Sequence, residues 1–487
     1  MMRTILYFLL FLFAHSALNA QILPDQVWVT GTQGASDEPG YGNAIIRFTD
    51  GQVDIVQAEL NMNFESTMAV MPDSLGNILF YTNGCFIANR LGNPMLNGTG
   101  LNSGEMHDWT CPEAGYVSPM GAMILAVPGS DHLYYLFHMG VRYEAEILCY
   151  GPFYYSVVDM SLDGGLGAVV EKNVVVAEGN FEPFSAVRHG NGRDWWLCFP
   201  GYGTNQYYKF LLGPNGLTNM GVQQTGPEMG CRYIGSSAFA PTGARYARQQ
   251  HCGVVVMNFN RCSGELSQEH FLPLPPNAFG GGGVAFSPDG NRLLVSTQLS
   301  VQEALLDTPD PVLDTIVDVL QVIGSSLHLM QYTPEGNILL SNLGRGKFYH
   351  LIENPEGPDP EFLQRGFALP VFSIRTLPNY PNYRLYDLAD SPCDTLGIDA
   401  VATYSPTAQQ SIHIAPNPVS ADALISVPSY CQGVWRLHDL SGITRLEGIW
   451  EGPSLTLSMK TLPPGLYFFQ LRKNEGDLLQ AKIIVAH

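Results

Sequence analysis

The stretch from Gly283 to Ser296 constrains the fold more than any other part of the sequence. Two short apolar runs, Val284–Phe286 and Leu293–Ser296, flank the turn sequence Ser-Pro-Asp-Gly. In such a turn the proline presets φ, the aspartate caps the turn through its side chain, and the glycine supplies the positive φ that closes it. The glycines at Gly280–Gly283 leave room for another backbone to approach. The stretch therefore predicts a tight β-hairpin with a closely packed first strand.

Looser versions of this hairpin recur along the chain, each across a turn rich in Gly, Pro, Asn or Asp. The other predicted pairs are Val27–Gly31 with Asn43–Phe48, Met68–Met71 with Ile78–Thr82, Met123–Val127 with Tyr134–His138, Ser185–Arg188 with Trp195–Phe199, Ser237–Phe239 with Arg245–Arg248, and Leu327–Gln331 with Asn337–Ser341. One hairpin unit repeated at intervals of several tens of residues is typical of a β-propeller. We therefore predict an all-β fold with a seven-bladed β-propeller, the pattern being compatible with six to eight blades. To close the ring, the N-terminal strands should complete one blade together with strands near Phe367–Arg375. The alternative is a two-sheet sandwich or two stacked β-domains.

The first twenty residues have the pattern of an export signal. Arg3 gives a positive start, Ile5–Ala14 is an apolar core, and Ala17 to Ala20 supplies small residues before Gln21. The apolar run is too short to span a membrane, and no other segment reaches about eighteen apolar residues. We expect an exported protein without a transmembrane segment.

The composition fits many short strands and argues against nucleic acid as a partner. Gly (51), Pro (34), Tyr (23) and Phe (24) are abundant, and only 14% of residues are charged. The formal charge of −20 is opposite to the basic footprint that phosphates need. An acidic balance of this kind is ordinary for the solubility of an extracellular protein.

Nine cysteines are present, and an exported protein can form disulfides from them. The odd number leaves at least one thiol unpaired or paired with another molecule. Cys252 and Cys262 bracket the apolar run Gly253–Phe259, and if this run is a strand its ends lie roughly 30 Å apart, far beyond disulfide reach. We expect this pair not to be bridged.

The composition changes near the C-terminus. Residues 398–410 are rich in Ser, Pro, Thr and Ala and read as a linker between a propeller at 21–397 and a tail at 411–487. The tail contains six or seven short alternating strands, enough for a small Ig-like β-sandwich. These strands are predicted at Ser411–Ile414, Ala423–Val427, Val434–Asp439, Leu455–Ser458, Gly465–Leu471 and Leu478–Val485.

Motifs in this tail resemble the type A C-terminal sorting domain of the type IX secretion system of Bacteroidetes. The order and spacing of four motifs carry the resemblance, and His438 is a mild departure where the family more often has Tyr or an apolar residue. The residues that match the motifs are Pro416, Asn417, Pro418, Asp439, Gly442, Gly465, Tyr467 and Lys482. The resemblance implies that the type IX machinery is a partner. It also implies that the protein is secreted or attached to the outer-membrane surface, usually after loss of the tail.

The body also resembles a propeller family of secreted Bacteroidetes proteins, one that carries no settled activity. The stretches that carry this resemblance are Phe153–Gly167 with Lys172–Asn173, Ala186–Trp196 and Pro378–Leu385. The resemblance covers most of residues 27–397 and implies the fold rather than a reaction.

Four polar residues are the candidates for a ligand-binding face. Asp159 and Asp163, with Glu171, surround a Gly-rich turn whose oxygens suit Ca²⁺, although the spacing is not that of an EF-hand and turn capping is the simpler interpretation. His189 and Asp194 lie between two predicted strands, where such a histidine usually satisfies backbone groups. No catalytic residue, cofactor or metal site is assigned. Aromatic residues that could stack on sugars, most of them expected in the core, are Trp109, Tyr154, Tyr155, Trp195, Trp196, Tyr207 and Tyr208.

The pattern favours a non-enzymatic binding or adhesion module that recognises a surface glycan or protein. The alternatives are a glycoside hydrolase or lyase with its site at the propeller channel, and a structural component of the cell surface. Several carboxylates and a histidine converging at the channel mouth would favour the enzyme. An aromatic shelf without titratable groups would favour binding.

Overall fold

A computed structural model describes residues 22–33, 39–49, 51–144, 147–230, 234–275, 278, 281–318, 326–396, 412–415, 419–439, 444–473 and 478–486. The chain divides into two compact units, one up to Val401 and one from Ala402. The predicted export signal at 1–20, the linker at 398–410, and the motif residues Pro416, Asn417, Pro418 and Gly442 lie outside the described residues. Among those described, no helix is long and apolar enough to cross a membrane.

The first unit consists of antiparallel sheets made from consecutive strands. Sheet 1 contains β1 (Val27–Thr32), β2 (Gly42–Thr49) and β3 (Gln52–Ala58). Sheet 2 contains β4 (Ala69–Pro72), β5 (Ile78–Thr82), β6 (Phe86–Asn89) and β7 (Pro94–Thr99), and sheet 3 contains β8 (Ala122–Ala126), β9 (Leu133–Glu144), β10 (Ile147–Asp159) and β11 (Ala168–Ala177). A single parallel residue pair between β7 and β11 links sheets 2 and 3. A short helix, α1 (Glu105–Thr110), lies between β7 and β8.

Four further sheets follow the same plan. Sheet 4 contains β12 (Ser185–Arg188), β13 (Trp195–Pro200), β14 (Gln206–Gly213) and β15 (Gly216–Gln224), and sheet 5 contains β16 (Ile234–Phe239), β17 (Arg245–Gln250), β18 (Gly253–Asn260) and β19 (Glu265–Pro273). Sheet 6 contains β20 (Val284–Phe286), β21 (Arg292–Ser296), β22 (Ser300–Leu305) and β23 (Asp314–Asp318), and sheet 7 contains β24 (Leu327–Tyr332), β25 (Ile338–Asn342), β26 (Gly346–Glu353) and β27 (Glu361–Ser373). Single 3-10 turns lie at Pro24–Gln26 and Asp163–Gly165.

Neighbouring sheets contact one another mainly through their first strands. β4 packs against β8, β12 against β16, β16 against β20, and β20 against β24, while β1 packs against both β4 and β27. Successive four-stranded antiparallel sheets in contact through their first strands are the arrangement of a β-propeller. The expectation of an all-β propeller body is confirmed at this level, and every predicted hairpin pairs as expected.

The hairpin of sheet 6 has the predicted turn. Asp289 accepts hydrogen bonds from the Ser287 hydroxyl and the Asn291 N–H, and Gly290 has φ 75°. The preceding strand runs close to its neighbours, because a Cβ on Gly283 would lie 2.2 Å from the Met330 nitrogen. A side chain at this position would push sheets 6 and 7 apart.

Closure of the ring differs from the expectation. The N-terminal strands form a sheet of their own, and the residues up to Ser373 belong to β27, which pairs with β26. β27 packs against β1, β2 and β3, and the Phe372 N–H donates to the Gly40 carbonyl at 2.7 Å. The segment that follows contains Pro378 and Pro381, which lack the N–H groups that a strand ladder needs. Side-chain bonds therefore take the place of strand pairing there.

In its described residues, the second unit is a sheet with fewer and longer strands than expected. It contains β28 (His413–Ala415), β29 (Asp422–Asp439), β30 (Thr444–Ser458), β31 (Gly465–Lys473) and β32 (Leu478–Val485). The two strands predicted at Ala423–Val427 and Val434–Asp439 are one continuous strand, β29, with a register shift between Ser426 and Cys431. Trp435, Trp450 and Phe469 pack together in its core.

Disulfides connect distant parts of the first unit. Cys85 bonds Cys111, and Cys262 bonds Cys393. Cys252 is also in a disulfide, so the expectation that Cys252 and Cys262 are not bridged to each other is confirmed. Among the described cysteines, the free thiols are Cys149, Cys198 and Cys431.

Candidate functional site

The axis of the propeller, where an enzyme site was one of the expectations, is filled by the chain itself. The segment after β27 bonds the inner ends of several sheets through side chains. Asn379 donates to the carbonyls of Met120 and Phe184, which precede β8 and β12, at 2.9 and 2.8 Å. Asn382 donates to the carbonyl of Pro241, which follows β16. The segment therefore runs along the inner strands from their beginnings towards their ends.

Two tyrosines complete this axial segment, which we define as residues 376–386. The Tyr380 hydroxyl lies within hydrogen-bond distance of the Val27 and Val70 carbonyls, and the Tyr383 hydroxyl bonds the Ile124 carbonyl. Both rings are buried. The Pro378–Leu385 stretch, singled out by resemblance, is thus the structural plug of the ring.

The remaining space at the axis is small. A cavity of about 60 Å³ lies between the axial segment and the first strands of sheets 4 to 7, which is room for a few water molecules and far less than a sugar ring needs. Asp25 borders this cavity and forms an ion pair with Arg384. Burial raises the pKa of Asp25 although the Arg384 charge and hydrogen bond act to lower it. The carboxylates and histidine that would have favoured an enzyme do not converge among the described residues here.

The Asp159–Asp163 turn is a capped turn. The Asp159 carboxylate accepts bonds from the N–H and hydroxyl of Ser161 at 2.9 and 2.6 Å, and these bonds lower its pKa. Asp163 adopts φ 51° within the 3-10 turn, while Glu171 accepts a bond from the Tyr155 hydroxyl. In the part of the chain that the structure describes, no three His, Cys, Asp or Glu side chains are placed to hold a metal ion.

His189 and Asp194 belong to the turn between β12 and β13, and both bond neighbouring groups. His189 Nδ1 accepts from the Asn191 N–H, and its Nε2 lies 3.2 Å from the Cys262 carbonyl. Asp194 is buried, which acts to raise its pKa, but bonds from Arg193 and Asn191 outweigh burial and leave the pKa lowered. No hydrogen bond or ion pair among the described residues joins this turn to Asp159, so the four candidates do not form one site.

A buried ion pair joins sheets 4 and 5. Arg248 Nη1 and Glu182 Oε1 are 3.0 Å apart, and both side chains are almost fully buried. Burial raises the pKa of Glu182 to about 7, against the opposing effect of Arg248. Because the pair is enclosed, it holds two blades together and offers no surface to a ligand.

Of the aromatic residues proposed to stack on sugars, Trp109 is the one most exposed. Most of the set was expected in the core; Trp195, Trp196 and Tyr207 are buried there, whereas Tyr154, Tyr155 and Tyr208 are half-buried. The Trp109 side chain is 70% exposed and Tyr143 is 56% exposed. Tyr143 was not singled out in the sequence, because its position at the end of a long hairpin was not predicted.

Helix α1 positions Trp109. Its N-terminus is Gly104, with φ 142°, and its C-terminus is tied by the Cys85–Cys111 disulfide. Met106 points inward and packs with Tyr116 and Val141 in a small core beneath the helix. The helix is therefore anchored on both its buried face and its end, while Trp109 faces outward.

Trp109 and Tyr143 line one open cleft of about 430 Å³, which we call the aromatic groove. Its other lining residues are Ser66, Met106, Thr110, Glu113, Ala114, Val117, Pro119, Leu148, Tyr150 and Arg375. The size falls within the range of small-molecule and peptide pockets. Arg375 lies immediately before the axial segment, so the groove opens beside the point where the axial segment enters the ring.

A second cleft of about 350 Å³ adjoins the first on the other side of Met106 and Tyr143, and we call it the polar groove. Arg142 fixes its wall. The guanidinium bonds the Glu144 carboxylate, the Gly151 carbonyl and the Asn180 amide oxygen at 2.9, 2.9 and 2.8 Å. The β9–β10 hairpin is thereby held in place, and the groove has a defined shape.

The floor of the polar groove rests on a buried histidine. His138 Nδ1 bonds Asn102 Oδ1 at 2.7 Å, and its Nε2 bonds the Ser156 hydroxyl at 3.0 Å. Burial lowers the pKa of His138 to about 3. The imidazole is therefore neutral near pH 7 and supports Asn102, which lines the groove, as a fixed hydrogen-bonding partner rather than as an acid–base group.

The described sorting-motif residues lie on neighbouring strands of the second unit. Asp439 is opposite Tyr467 in the β29–β31 ladder, and Gly465 and Lys482 belong to the β31–β32 pair. The Tyr467 ring is buried, and its hydroxyl donates to the Pro463 carbonyl at 2.8 Å. At least Tyr467 thus has a stabilising role in this sheet.

No protein-family model matches the chain, and no curated protein matches it in sequence. Among solved structures, a candidate 6-phosphogluconolactonase from Bacteroides fragilis is 16% identical, with a TM-score of 0.46, covering 73% of this chain and 97% of its own. A second from Bacteroides uniformis is 13% identical, with a TM-score of 0.40 and coverages of 71% and 97%. The Dos1 propeller is 10% identical, with a TM-score of 0.37 and coverages of 71% and 89%. At these TM-scores none of them carries an activity or a site residue over to this chain.

Proposed function

We propose that this chain is a seven-bladed propeller that acts as a non-enzymatic binding module, with the aromatic groove as its ligand site. The observation that carries the proposal is the exposed pair Trp109 and Tyr143 on a rigid support. Exposed aromatic side chains with few rotatable bonds are the residues that dominate binding energy at protein surfaces. The Cys85–Cys111 disulfide fixes the helix and the Arg142 bonds fix the hairpin. Binding a ligand therefore costs little conformational entropy.

The filled axis supports binding over hydrolysis. A glycoside hydrolase at the channel would need two carboxylates facing a sugar-sized space. The described axial cavity holds about 60 Å³, and Asp25 beside it is engaged by Arg384. The exposed aromatic pair lies instead on α1, which carries Trp109, and at the end of β9, which carries Tyr143.

The route to the cell surface belongs to the same proposal. We infer it from the resemblance of residues 411–487 to a type IX sorting domain and from the signal-like residues 1–20. The protein would act outside the cell, secreted or attached to the outer membrane. Deleting residues 408–487 should retain the truncated chain in the periplasm, measured by fractionation and immunoblotting. Normal surface delivery of the truncated chain would overturn this part.

The binding function is tested with the mature chain, defined as the full chain without the predicted export signal at 1–20, and a panel of polysaccharides and surface proteins. Retention on the panel and the masses of all products are measured for the native protein and for Trp109→Ala. Leu305→Ala is the matched control, because Leu305 is 52% exposed on a different sheet. We expect retention that Trp109→Ala removes and Leu305→Ala preserves, with unchanged product masses. New product masses would identify an enzyme, and retention insensitive to Trp109→Ala would place the site elsewhere.

A further inference from the structure

The aromatic groove has an apolar floor. Met106 is buried beneath it, and Val117, Pro119 and Leu148 contribute aliphatic surface. The Thr110 hydroxyl, one of the few polar groups there, already donates to the Met106 carbonyl at 2.8 Å. Sugar hydroxyls would find few partners on such a floor, whereas a branched or aromatic side chain would bury apolar surface against it.

The rim of the same region is acidic. Glu113 lines the aromatic groove, Glu105 lines the polar groove, and both are exposed on or next to α1. Asp108 lies between them with 82% of its side chain exposed. No ion pair joins Glu105 or Glu113 to a basic side chain among the described residues. The Glu105 and Glu113 carboxylates are therefore available to a partner, whereas the Asp108 carboxylate lies 3.1 Å from His107 Nδ1.

The two arginines of the region differ in their partners, since Arg142 pairs with a carboxylate and Arg375 bonds a neutral carbonyl. Arg142 bonds Glu144, as well as the Gly151 carbonyl and Asn180. Arg375 Nε donates to the Leu343 carbonyl at 3.2 Å. Arg375 therefore keeps its positive charge at the aromatic groove, but Glu105 and Glu113 outnumber it. The net charge offered to a ligand is negative, and the complementary ligand is cationic.

We infer that the groove binds a segment of another protein in which a bulky apolar side chain is flanked by lysine or arginine residues. This inference rests on the proposed function and names its ligand class. The apolar side chain enters between Trp109 and Leu148, and the basic flanks lie against Glu105 and Glu113. A ligand of this kind uses both features, the floor for burial and the rim for charge.

The fluorescence of Trp109 reports directly whether a ligand covers the aromatic groove. The chain has six tryptophans, all within the described residues, and the other five are at most 6% exposed. A ligand that covers Trp109 should shift its emission to shorter wavelength and protect it from iodide quenching. The buried tryptophans should contribute a constant background to both signals.

The test uses the full mature chain and seven-residue peptides carrying fluorescein. Each peptide has a central residue flanked by glycines and then by two charged residues at each end. The first has central leucine with lysine flanks, the second central leucine with glutamate flanks, and the third central alanine with lysine flanks. Affinity is measured by fluorescence anisotropy, and occupancy of the groove by Trp109 emission with the unlabelled peptides.

The lysine-flanked leucine peptide should bind at least tenfold more tightly than either other peptide. Glu105→Gln combined with Glu113→Gln should weaken it at least fivefold, and Trp109→Ala should abolish it. Leu305→Ala and Glu361→Gln, both exposed on other sheets, should leave its affinity unchanged.

Three results would overturn the inference. Equal affinity for the lysine- and glutamate-flanked peptides would remove the charge argument. Retention of a polysaccharide through Trp109, with no peptide bound, would replace the protein ligand by a glycan and leave the proposed binding function standing. Absence of any Trp109-dependent binding to peptides and to the polysaccharide and protein panel would overturn both proposals.

Discussion

Cys262 and Cys393 form a disulfide that joins two segments 131 residues apart. Cys262 lies in the turn between β18 and β19, and Cys393 lies just beyond the axial segment. Hydrogen bonds reinforce the link. Arg261 Nη2 donates to the Tyr386 carbonyl, and the Leu388 N–H donates to the Gly190 carbonyl. The disulfide therefore fastens the end of the plug to sheet 5.

Replacing both cysteines, Cys262→Ser with Cys393→Ser, should destabilise the propeller by about 2–4 kcal/mol, because the unfolded chain regains the freedom of a long loop. Thermal unfolding of the mature chain measures the effect. Cys149→Ser is the control, since Cys149 is a free thiol and its change should leave the melting temperature almost unaltered. An unaltered melting temperature in the double variant would mean that the hydrogen bonds suffice to hold the plug.

Asn379 is the residue whose replacement should most directly weaken the attachment of the axial segment to the surrounding sheets. Its side chain is buried, and both amide hydrogens are donated to main-chain carbonyls. Asn379→Ala would leave both carbonyls without a partner, which should cost about 2–4 kcal/mol of unfolding free energy. Asn258→Ala, which removes an exposed amide from β18, should change it by less than about 0.5 kcal/mol. Urea unfolding compares the two, and equal effects would contradict an axial role for Asn379.

The repeated hairpins could be predicted because each depends on local chemistry. Asp289 and Gly290 set the turn of sheet 6 within a few residues of sequence, and the alternating apolar runs fix which face is buried. The same reasoning succeeded at the other hairpins. In the second unit the same reasoning predicted two strands where the structure has one, β29. The pairing with β30 shifts register between Ser426 and Cys431 without ending the strand, and a local sequence pattern does not distinguish such a shift from a turn.

The candidate site could not be predicted in the same way. The aromatic groove depends on contacts between α1 and a hairpin whose tip lies more than thirty residues further on, around Tyr143. Trp109 was one of seven aromatic residues with nothing local to distinguish it. A signal does exist in the sequence, since Trp109 stands in a polar stretch close to Cys111. The filling of the axis by Pro378–Leu385 was likewise hidden, because side-chain bonds to distant sheets leave no periodic pattern.

Removal of Ca²⁺ should have little effect on stability. The Asp159 carboxylate is already satisfied by Ser161, and Glu171 by Tyr155. Addition of EDTA should therefore move the melting temperature by less than about 2 °C. A fall of about 10 °C or more that CaCl₂ reverses would instead indicate a metal ion at this turn. Asp159→Asn, which keeps the capping oxygen, should then reproduce the fall if Asp159 is a ligand.

His138 should make the propeller less stable in mild acid. In the folded chain burial lowers its pKa to about 3, whereas in the unfolded chain it is about 6.5. The folded state therefore binds fewer protons than the unfolded state between these values. The contribution of His138 is complete above about pH 6.5 and is lost as pH falls towards 3, at about 1.4 kcal/mol per pH unit.

Urea unfolding between pH 6.5 and 5 measures this slope. His328 and His350, whose pKa values burial lowers to about 4, act in the same direction. His138→Asn should therefore reduce the slope by about 1.4 kcal/mol per pH unit without abolishing it. His132→Asn, on an exposed turn, is the control and should leave the loss of stability in acid in place. An unchanged slope in His138→Asn would mean that His138 is protonated in the folded protein, in conflict with its enclosure between Asn102 and Ser156.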